Sequence, residues 1–271
     1  MQLTDIQRMI RDTAREFAQN RLAPGAAMRD EKALFPSEEV KELGALGLMG
    51  MLIPETYGGA GADYVSMALA LEEIAAADGS ISTIMSVQNS LVGVGLLNHG
   101  NEWQKETFLA PLARGEILGA FALTEPQAGS EAAAIACTAR KDGDHYILSG
   151  SKQFITSGKY ADITLVFAVT DRAAGKKGMS AFIVPTKLPG YTVAKLEHKL
   201  GQTSSDTAQL VFEDMRIPGT HRLGEEGQGY KIALSNLEGG RIGIAAQAIG
   251  MARAALDFAL GYARDPRSFG K

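Results

Sequence analysis

The hydrophobic period of the chain changes at Gly119-Ala120-Phe121-Ala122-Leu123-Thr124-Glu125-Pro126-Gln127-Ala128-Gly129-Ser130. Before this stretch, apolar residues recur every three or four positions, which is the spacing of amphipathic helices. After its first residue the pattern alternates, as it does in half-buried strands. The change predicts an all-helical N-terminal domain over residues 1–118 and a β domain that begins at residue 119.

The helical part begins with a capping box, in which the Thr4 hydroxyl caps the first helix and Gln7 reaches back. Pro24 and Gly25 are expected to end that helix, because both residues disfavour a helix interior. Further helices are predicted after Pro36. Three more are predicted over residues 65–77, 81–97 and 102–113.

In the β part, Asp142-Gly143 predicts a tight hairpin turn. Strands are predicted over residues 121–123, 146–148, 154–156, 163–169, 181–184 and 208–212. The helical period returns after Gly224–Gly229 and continues from Ile232 to Tyr262. The predicted fold is therefore α+β and multidomain: an N-terminal all-α domain (1–118), a middle antiparallel β domain (119–228) and the beginning of a C-terminal helical bundle (229–271). One long amphipathic helix has no bundle of its own to pack against, so further helices are expected downstream.

The composition excludes several classes of function. The chain has 271 residues, 45% of them hydrophobic and 21% charged, with a net charge of −4. Acidic and basic residues are interspersed, so no basic stripe predicts binding to nucleic acid. The most apolar stretch, Ile81–Leu97, contains several Ser, Asn, Gln and Gly residues and fits a buried core helix better than a membrane span. The single cysteine, Cys137, excludes an internal disulfide, and a cytoplasmic location is predicted.

No general sequence motif in the chain indicates a reaction or a ligand. The glycine-rich stretches lack the spacing of a dinucleotide-binding or P-loop motif after a strand. The four histidines, His99, His145, His198 and His221, are scattered, so no metal site is predicted. Cys137 lies in a half-buried strand pattern and is interpreted as a small core residue. Function must therefore be sought in more specific motifs.

Two segments carry such motifs. The stretch Phe121–Ser130 closely resembles the Thr-Glu-Pro-x-Ala-Gly-Ser signature of acyl-CoA dehydrogenases, and Phe154-Ile155-Thr156-Ser157-Gly158 resembles the second flavin segment of that family. Three other stretches also agree with the family: Ile53–Gly59, Val211–Asp214 and Leu237–Gly250. The resemblance, closest to the short-chain and bacterial branches, thus extends over the whole chain.

The resemblance implies FAD as the cofactor and an acyl-CoA as the substrate. In this family a Glu carboxylate removes the α-proton of the acyl thioester while the β-hydrogen leaves as hydride, which gives a trans-2-enoyl-CoA. The implied electron acceptor is electron-transferring flavoprotein, and the implied assembly is a homotetramer or homodimer. Short or medium straight acyl chains are expected.

The resemblance also assigns roles to individual residues. Phe121, Leu123 and Thr124 are expected to border the flavin ring, Gly129 to allow its close approach, and Ser130 to lie between flavin and acyl-CoA. In the second segment the same cofactor is expected along Phe154, Ile155 and Thr156, with the Thr156 hydroxyl near flavin N5. Taken singly, such residues are ordinary in strands and turns. Their joint occurrence in family order is what supports the assignment.

The catalytic base is the main departure from the family pattern. In some relatives it lies directly before the residue matched here by Arg241, but Gly240 occupies that position. Glu238 points to another side of the helix, so it is interpreted as a contact to the CoA adenine or as a solvated acid, and Arg241 is expected to bind the substrate. The base is therefore expected to be a Glu beyond Lys271. Pro266 stands where relatives carry an Arg that binds the FAD pyrophosphate, and Arg267, displaced by one position, is the remaining candidate.

Two alternatives stay open at this point. An acyl-CoA oxidase-like relative would pass electrons to oxygen instead of to a flavoprotein. A non-catalytic module would bind flavin or acyl-CoA without turnover, and the missing Glu is the sequence feature that favours it.

Overall fold

The structure of the chain is a computed structural model that describes residues 2–264. The N-terminal part consists of the helices α1 Asp5–Phe17, α2 Ala23–Glu31, α3 Ser37–Ala45, α4 Tyr64–Ala77, α5 Gly79–Ser86, α6 Val94–His99, α7 Glu102–Gln104 and α8 Ala110–Ala113. The π-helical segments Ala18–Leu22, Val87–Gly93 and Lys105–Leu109 connect α1 to α2, α5 to α6 and α7 to α8. The predicted helical character of this part is confirmed.

The first helix begins as predicted but does not end where the sequence suggested. The Gln7 backbone N–H donates to Thr4 Oγ1 at 3.2 Å, and the Thr4 N–H donates to Gln7 Oε1 at 3.0 Å. The expectation that Pro24 and Gly25 end the helix is wrong, because both lie inside α2. The preceding π-helical segment Ala18–Leu22 places Pro24 in the first turn of α2, where its missing N–H costs little.

The middle part is one mixed sheet. Its strands are β1 Gly119–Ala122, β2 Thr138–Asp142, β3 His145–Thr156, β4 Ile163–Val169, β5 Met179–Pro185, β6 Tyr191–Leu196, β7 Thr207–Pro218 and β8 Arg222–Leu223. Their order is β6-β7-β3-β2-β4-β5-β8, with β1 paired to β4. The predicted β domain is confirmed with one correction: β1 runs parallel to β4, and β2 meets β4 in parallel at one residue pair. A parallel pair needs a long connection, which the chain between β1 and β4 provides.

The hairpin between β2 and β3 is confirmed, but its turn is shifted by one residue. Asp142 pairs with His145, so Gly143 and Asp144 form the loop. Gly143 has a φ of +61°, and glycine at the first loop position is what a type II′ turn requires. The predicted Asp142-Gly143 loop fits type I′ instead, in which both loop residues have positive φ.

β3 and β6 differ from the predicted strands, and the two-residue strand β8 was not predicted. β3 joins two predicted strands, 146–148 and 154–156, because the residues between them stay paired to β7 across two irregularities in register. β6 was missed because it lies at the edge of the sheet and is mostly exposed, which leaves only a short inward apolar pattern.

Both faces of the sheet are covered. Along β4, Leu165 and Phe167 pack into the cluster shared with the N-terminal helices, whereas Val166 and Ala168 pack into a cluster on the opposite face. A strand buried on both sides reads as a continuous apolar run, which is the pattern of residues 163–169. The first of these faces brings the sheet against the N-terminal helices.

The long helix α9, Gly229–Ala263, lies along α4 and along the continuous stretch Gly79–His99. Small residues allow the close approach: a Cβ on Gly243 would lie 2.4 Å from Ser86 Oγ. Gln247 Nε2 fastens the contact by donating to Gly79 O at 2.9 Å and to Ser82 Oγ at 2.7 Å.

Two helical stretches among residues 2–264 have the length and mean hydropathy of a membrane-spanning helix. They are Gly79–His99, with a mean hydropathy of 1.3, and α9, with 1.2. The window of the first is 72% buried inside the protein, which agrees with its interpretation as a core helix. The window of α9 is only 22% buried, so most of its apolar surface faces outward.

Gly250→Ala is expected to destabilise the contact between α9 and α4. A Cβ at Gly250 would lie 2.2 Å from Glu72 O and 2.9 Å from Ala75 Cβ, neither of which can rotate away. Overpacking of this kind costs about 1–3 kcal/mol, and urea denaturation should show it as a lower midpoint. Gly261→Ala is the control: a Cβ there meets nothing within 4 Å, so the helix propensity of Ala should make the protein more stable by about 0.5–1 kcal/mol.

Candidate functional site

A loop leaves β1 and returns to β2 around one buried carboxylate. Glu125 is 4% exposed, and its side chain accepts hydrogen bonds from the Ala136 N–H at 2.6 Å and the Cys137 N–H at 3.0 Å. The Lys152 ammonium on β3 donates to Glu125 Oε1 at 2.7 Å. The carboxylate therefore ties the two ends of the loop 124–137 to each other and to β3.

The electrostatics of this ion pair agree with its contacts. Burial alone would raise the pKa of Glu125, but Lys152 and the donated N–H groups outweigh burial and lower it. Burial lowers the pKa of Lys152, which is fully buried, and the neighbouring Glu125 opposes that shift. Burial also raises the pKa of the Cys137 thiol to about 11, so this cysteine stays protonated and fits the prediction that it is a core residue.

The second motif segment lies at the end of β3, and its backbone is strained. Phe154 has a φ of +59° and Ser157 a φ of +61°, both in the left-handed region that side chains disfavour. The change of register at this point turns Phe154 outward, where it is 62% exposed, while Ile155 is 2% exposed in the sheet core. Such strain in a large exposed aromatic residue is typical of a functional surface.

Hydrogen bonds hold the two motif segments together. The Gln153 N–H donates to Thr124 O at 2.8 Å, and Lys152 Nζ donates to Leu123 O at 3.1 Å. These hydrogen bonds thus place the predicted residues that follow β1 next to those at the end of β3. Thr156 is half-buried and pairs with Thr207 on β7.

The other predicted residues of the first segment differ in accessibility. Phe121 is half-buried and packs on Phe167, with 4.9 Å between ring centroids. Leu123 is 6% exposed, so its side chain lies in the core. Gly129 and Ser130 are exposed, and a Cβ on Gly129 would meet nothing within 4 Å. The loop therefore has an exposed surface at Gly129 and Ser130, while the carboxylate of Glu125 that fastens it is buried.

An apolar cavity of about 620 Å³ lies between the Ser86–Leu91 stretch and α9. Its lining consists of Ser86, Val87, Ser90, Leu91, Leu237, Gly240, Arg241, Ile244, Ala245 and Ala248. Val87 and Leu237 also pack on the cluster that contains Leu123 and contacts Phe121. Two lining residues of the cavity therefore also pack behind the first motif segment. The volume of the cavity suits a small organic group.

The residues predicted on α9 are divided by the helix geometry. Arg241 and Gly240 line the cavity, whereas Glu238 is exposed and lies outside the lining. Within the part of the chain that the structure describes, the lining contains no carboxylate. The prediction for Arg267 concerns a position outside the described residues.

Sequence reasoning missed the role of Lys152 and Glu125. One signal was present: along β3 the buried positions Tyr146 and Leu148 alternate toward Lys152, which places a lysine on the inner face of a strand. A buried lysine needs an anionic partner, and the motif itself contains Glu125. Metal binding is not indicated, since residues 2–264 contain no cluster of three or more His, Cys, Asp or Glu side chains suited to an ion.

Comparison with protein families gives three matches that together cover most of the chain. Residues 4–116 match the model "Acyl-CoA dehydrogenase, N-terminal domain", residues 120–215 match its middle domain, and residues 227–271 match its C-terminal domain. The boundaries predicted at residues 118 and 228 remain predictions.

Individual proteins give the same result. Short-chain specific acyl-CoA dehydrogenase from the mitochondria of Mus musculus is 48% identical over 270 residues; the match covers the whole of this chain and 66% of that protein. The structure of butyryl-CoA dehydrogenase from Megasphaera elsdenii is 45% identical with a TM-score of 0.96, over the whole of this chain and 72% of that one. A chain in the structure described as the electron transferring flavoprotein of Acidaminococcus fermentans has a TM-score of 0.97 at 45% identity, over the whole of this chain and 71% of that one.

Proposed function

Because this chain belongs to the acyl-CoA dehydrogenase family, we propose that it binds FAD and an acyl-CoA and takes part in the α,β-dehydrogenation of the acyl group to a trans-2-enoyl-CoA. The observation that carries the proposal is that hydrogen bonds hold the two motif segments together next to an apolar cavity. The chain spans 66% of the length of the mouse relative, and the activity is proposed for the protein that contains this chain.

The residues present fit a flavin. A ring system of this kind needs an apolar wall and a few donors directed at its heteroatoms. Phe154 offers an exposed aromatic face in a strained conformation, and the open space beside Gly129 allows a ligand to approach the backbone. The hydroxyl groups of Thr124, Ser130 and Thr156 are the available donors. Bound FAD supplies the acceptor for the hydride that leaves the acyl β-carbon.

The residues of this chain have separate tasks in the proposal. Phe121, Leu123, Phe154 and Ile155 are proposed to form the wall for the cofactor, in which Phe154 is exposed and Leu123 and Ile155 are buried behind the surface. Ser130 is proposed to contact both ligands, and Arg241 and Glu238 are proposed to bind the CoA part of the substrate from α9.

The proposed substrate class is a short acyl-CoA. The cavity is lined by apolar side chains and by Ser86 and Ser90, whose hydroxyls make a long purely apolar path unfavourable. The relatives with matching sequence include a short-chain specific and a butyryl-CoA enzyme. The Glu that removes the α-proton is proposed to lie beyond Lys271, since Gly240 faces the cavity and no carboxylate is in its described lining.

The proposed electron acceptor is electron-transferring flavoprotein, in line with the Acidaminococcus fermentans structure. A homotetramer or homodimer in the cytoplasm, without insertion into a membrane, is proposed as the working form. The outward apolar side chains of α9, which include Ile249, Leu256 and Phe258, support protein contacts along this helix.

An anaerobic absorbance spectrum before and after addition of butyryl-CoA tests the proposal. For the protein with its carboxylate base, we expect the flavin absorbance to bleach when butyryl-CoA is added. The flavin is reduced as the acyl group is oxidised. A preparation without any flavin absorbance, after incubation with excess FAD, would contradict the proposed cofactor.

A second candidate is a binding module without turnover, which the absence of a carboxylate from the described cavity lining favours. It predicts a flavin spectrum that shifts with butyryl-CoA but does not bleach. An oxidase-like activity is distinguished by oxygen consumption without an added acceptor.

A further inference from the structure

We propose that the buried Glu125–Lys152 ion pair is the positioning element of the flavin site, which fixes the loop 124–137 relative to the end of β3. The inference rests on the proposed function, since it assumes that Thr124, Ser130 and Thr156 bind one ligand together. Neither Glu125 nor Lys152 is proposed to touch that ligand.

The contacts of the pair connect the two motif segments. Lys152 Nζ donates to Leu123 O at 3.1 Å and to Glu125 Oε1 at 2.7 Å, so it contacts two residues at the loop entrance. The carboxylate of Glu125 then accepts from Ala136 and Cys137 at the loop exit. Gln127 adds a further donor to Glu125 Oε2 at 2.7 Å. Removing the carboxylate therefore releases both ends of the loop at once.

The loop has few other means of keeping its shape. Pro126, Gln127, Gly129 and Ser130 are exposed, and they bury no side chain that could hold the loop in place. Between the two loop ends, the small side chain of Ala128 and the side chain of Ile135 are buried in the core, and Ala132 packs against it. The positions of Gly129 and Ser130 thus depend on the polar anchor more than on packing.

Stability alone does not require this pair. Both side chains are almost fully buried, with 0% and 2% of their surface exposed, and desolvation offsets most of the attraction between such charges. Apolar side chains of similar volume would hold a sheet together equally well, but they would not define the separation of two loops. A buried ion pair at this place is accordingly expected to specify geometry.

Three variants test the role: Glu125→Gln, Lys152→Met and the double variant. The single variants leave one buried charge without its partner and lose thermal stability. The double variant leaves no unpaired charge and should recover most of it. The positioning role predicts that FAD affinity stays about ten- to a hundredfold weaker in all three variants, because the ion pair between Glu125 and Lys152 is absent from each. The visible circular dichroism of bound flavin should change with it.

Asp78→Asn is the matched control. Asp78 and Arg29 form another buried ion pair, with side chains 5% and 6% exposed and 2.8 Å between Oδ2 and Nη2, in the helical part of the chain. This variant is expected to lower thermal stability without weakening FAD affinity in the folded fraction. The comparison separates a general loss of stability from a loss at the flavin site.

Hydrogen–deuterium exchange on the chain without FAD gives a readout that does not depend on the cofactor. Faster exchange at the Ala136, Cys137 and Gln153 amides in Glu125→Gln, with unchanged protection in α4, supports the role of the pair. Unchanged exchange at these amides, or recovery of FAD affinity in the double variant, overturns it. If the unsubstituted chain binds no FAD, the proposed cofactor is contradicted, while the exchange result still decides whether the pair holds the loop.

Discussion

Glu73→Gln is expected to lower the free energy of unfolding by about 3 kcal/mol, the low end of the cost of breaking a buried ion pair. Glu73 on α4 is 2% exposed, and its two oxygens receive paired hydrogen bonds from Arg15 on α1 and Arg253 on α9. The low end applies because both arginines reach solvent, with 49% and 32% of their side chains exposed. Urea denaturation measures the change.

Glu72→Gln is the control for this prediction. Glu72 also binds Arg253, but its side chain is 26% exposed, so we expect a loss of less than about 1 kcal/mol. Equal losses in the two variants would show that burial of Glu73 does not matter.

The same carboxylate makes stability depend on pH. Burial would raise the pKa of Glu73, but hydrogen bonds and charges from Arg15 and Arg253 outweigh it, so folding lowers the pKa. The unfolded chain then binds this proton at a higher pH than the folded chain. The stabilisation is complete above the unfolded pKa of about 4.3 and is lost as the pH falls through the lower folded value. In Glu73→Gln, the unfolding free energy should fall less steeply with acid.

Ala245→Phe is expected to weaken binding of butyryl-CoA about 5- to 150-fold, because adding a phenyl group to a site that the acyl group fills costs about 1–3 kcal/mol. Ala245 lines the cavity from α9, opposite the Ser86–Leu91 stretch. Its side chain is exposed in the cavity mouth, so the larger residue occupies the space of the acyl group without disturbing the core. Isothermal titration calorimetry measures the affinity.

Ala252→Phe provides the comparison on the same helix. Ala252 is exposed and does not line the cavity, so butyryl-CoA affinity should stay within about twofold of the unsubstituted protein. If Ala245→Phe binds butyryl-CoA normally, the cavity between the Ser86–Leu91 stretch and α9 is not the acyl site.

Several parts of the structure could be predicted from local sequence because the signals are local. The capping box at Thr4 and Gln7 depends on residues three positions apart. The strand 163–169 is a continuous apolar run, and this composition indicates that the strand is buried. The hairpin was also found, although its turn was misplaced by one residue because glycine suits both primed turn types. The motif segments Phe121–Ser130 and Phe154–Gly158 were sufficient to indicate the family.

Other features depend on contacts that no local pattern records. Pro24 does not end a helix because a π-helical segment precedes it. The parallel direction of β1 relative to β4 depends on the point at which the chain leaves the N-terminal helices and enters the sheet.

The helical and β parts of this protein, its family and the two segments proposed to bind flavin could be read from consecutive residues, because hydrophobic period and motif are local. The contact between Lys152 and Glu125, the cavity that Gly240 lines, and the joining of three helices by Glu73 follow from the packed fold alone. Burial and ion pairing involve residues far apart in the chain, which become neighbours only when the sheet and α9 pack against the N-terminal helices.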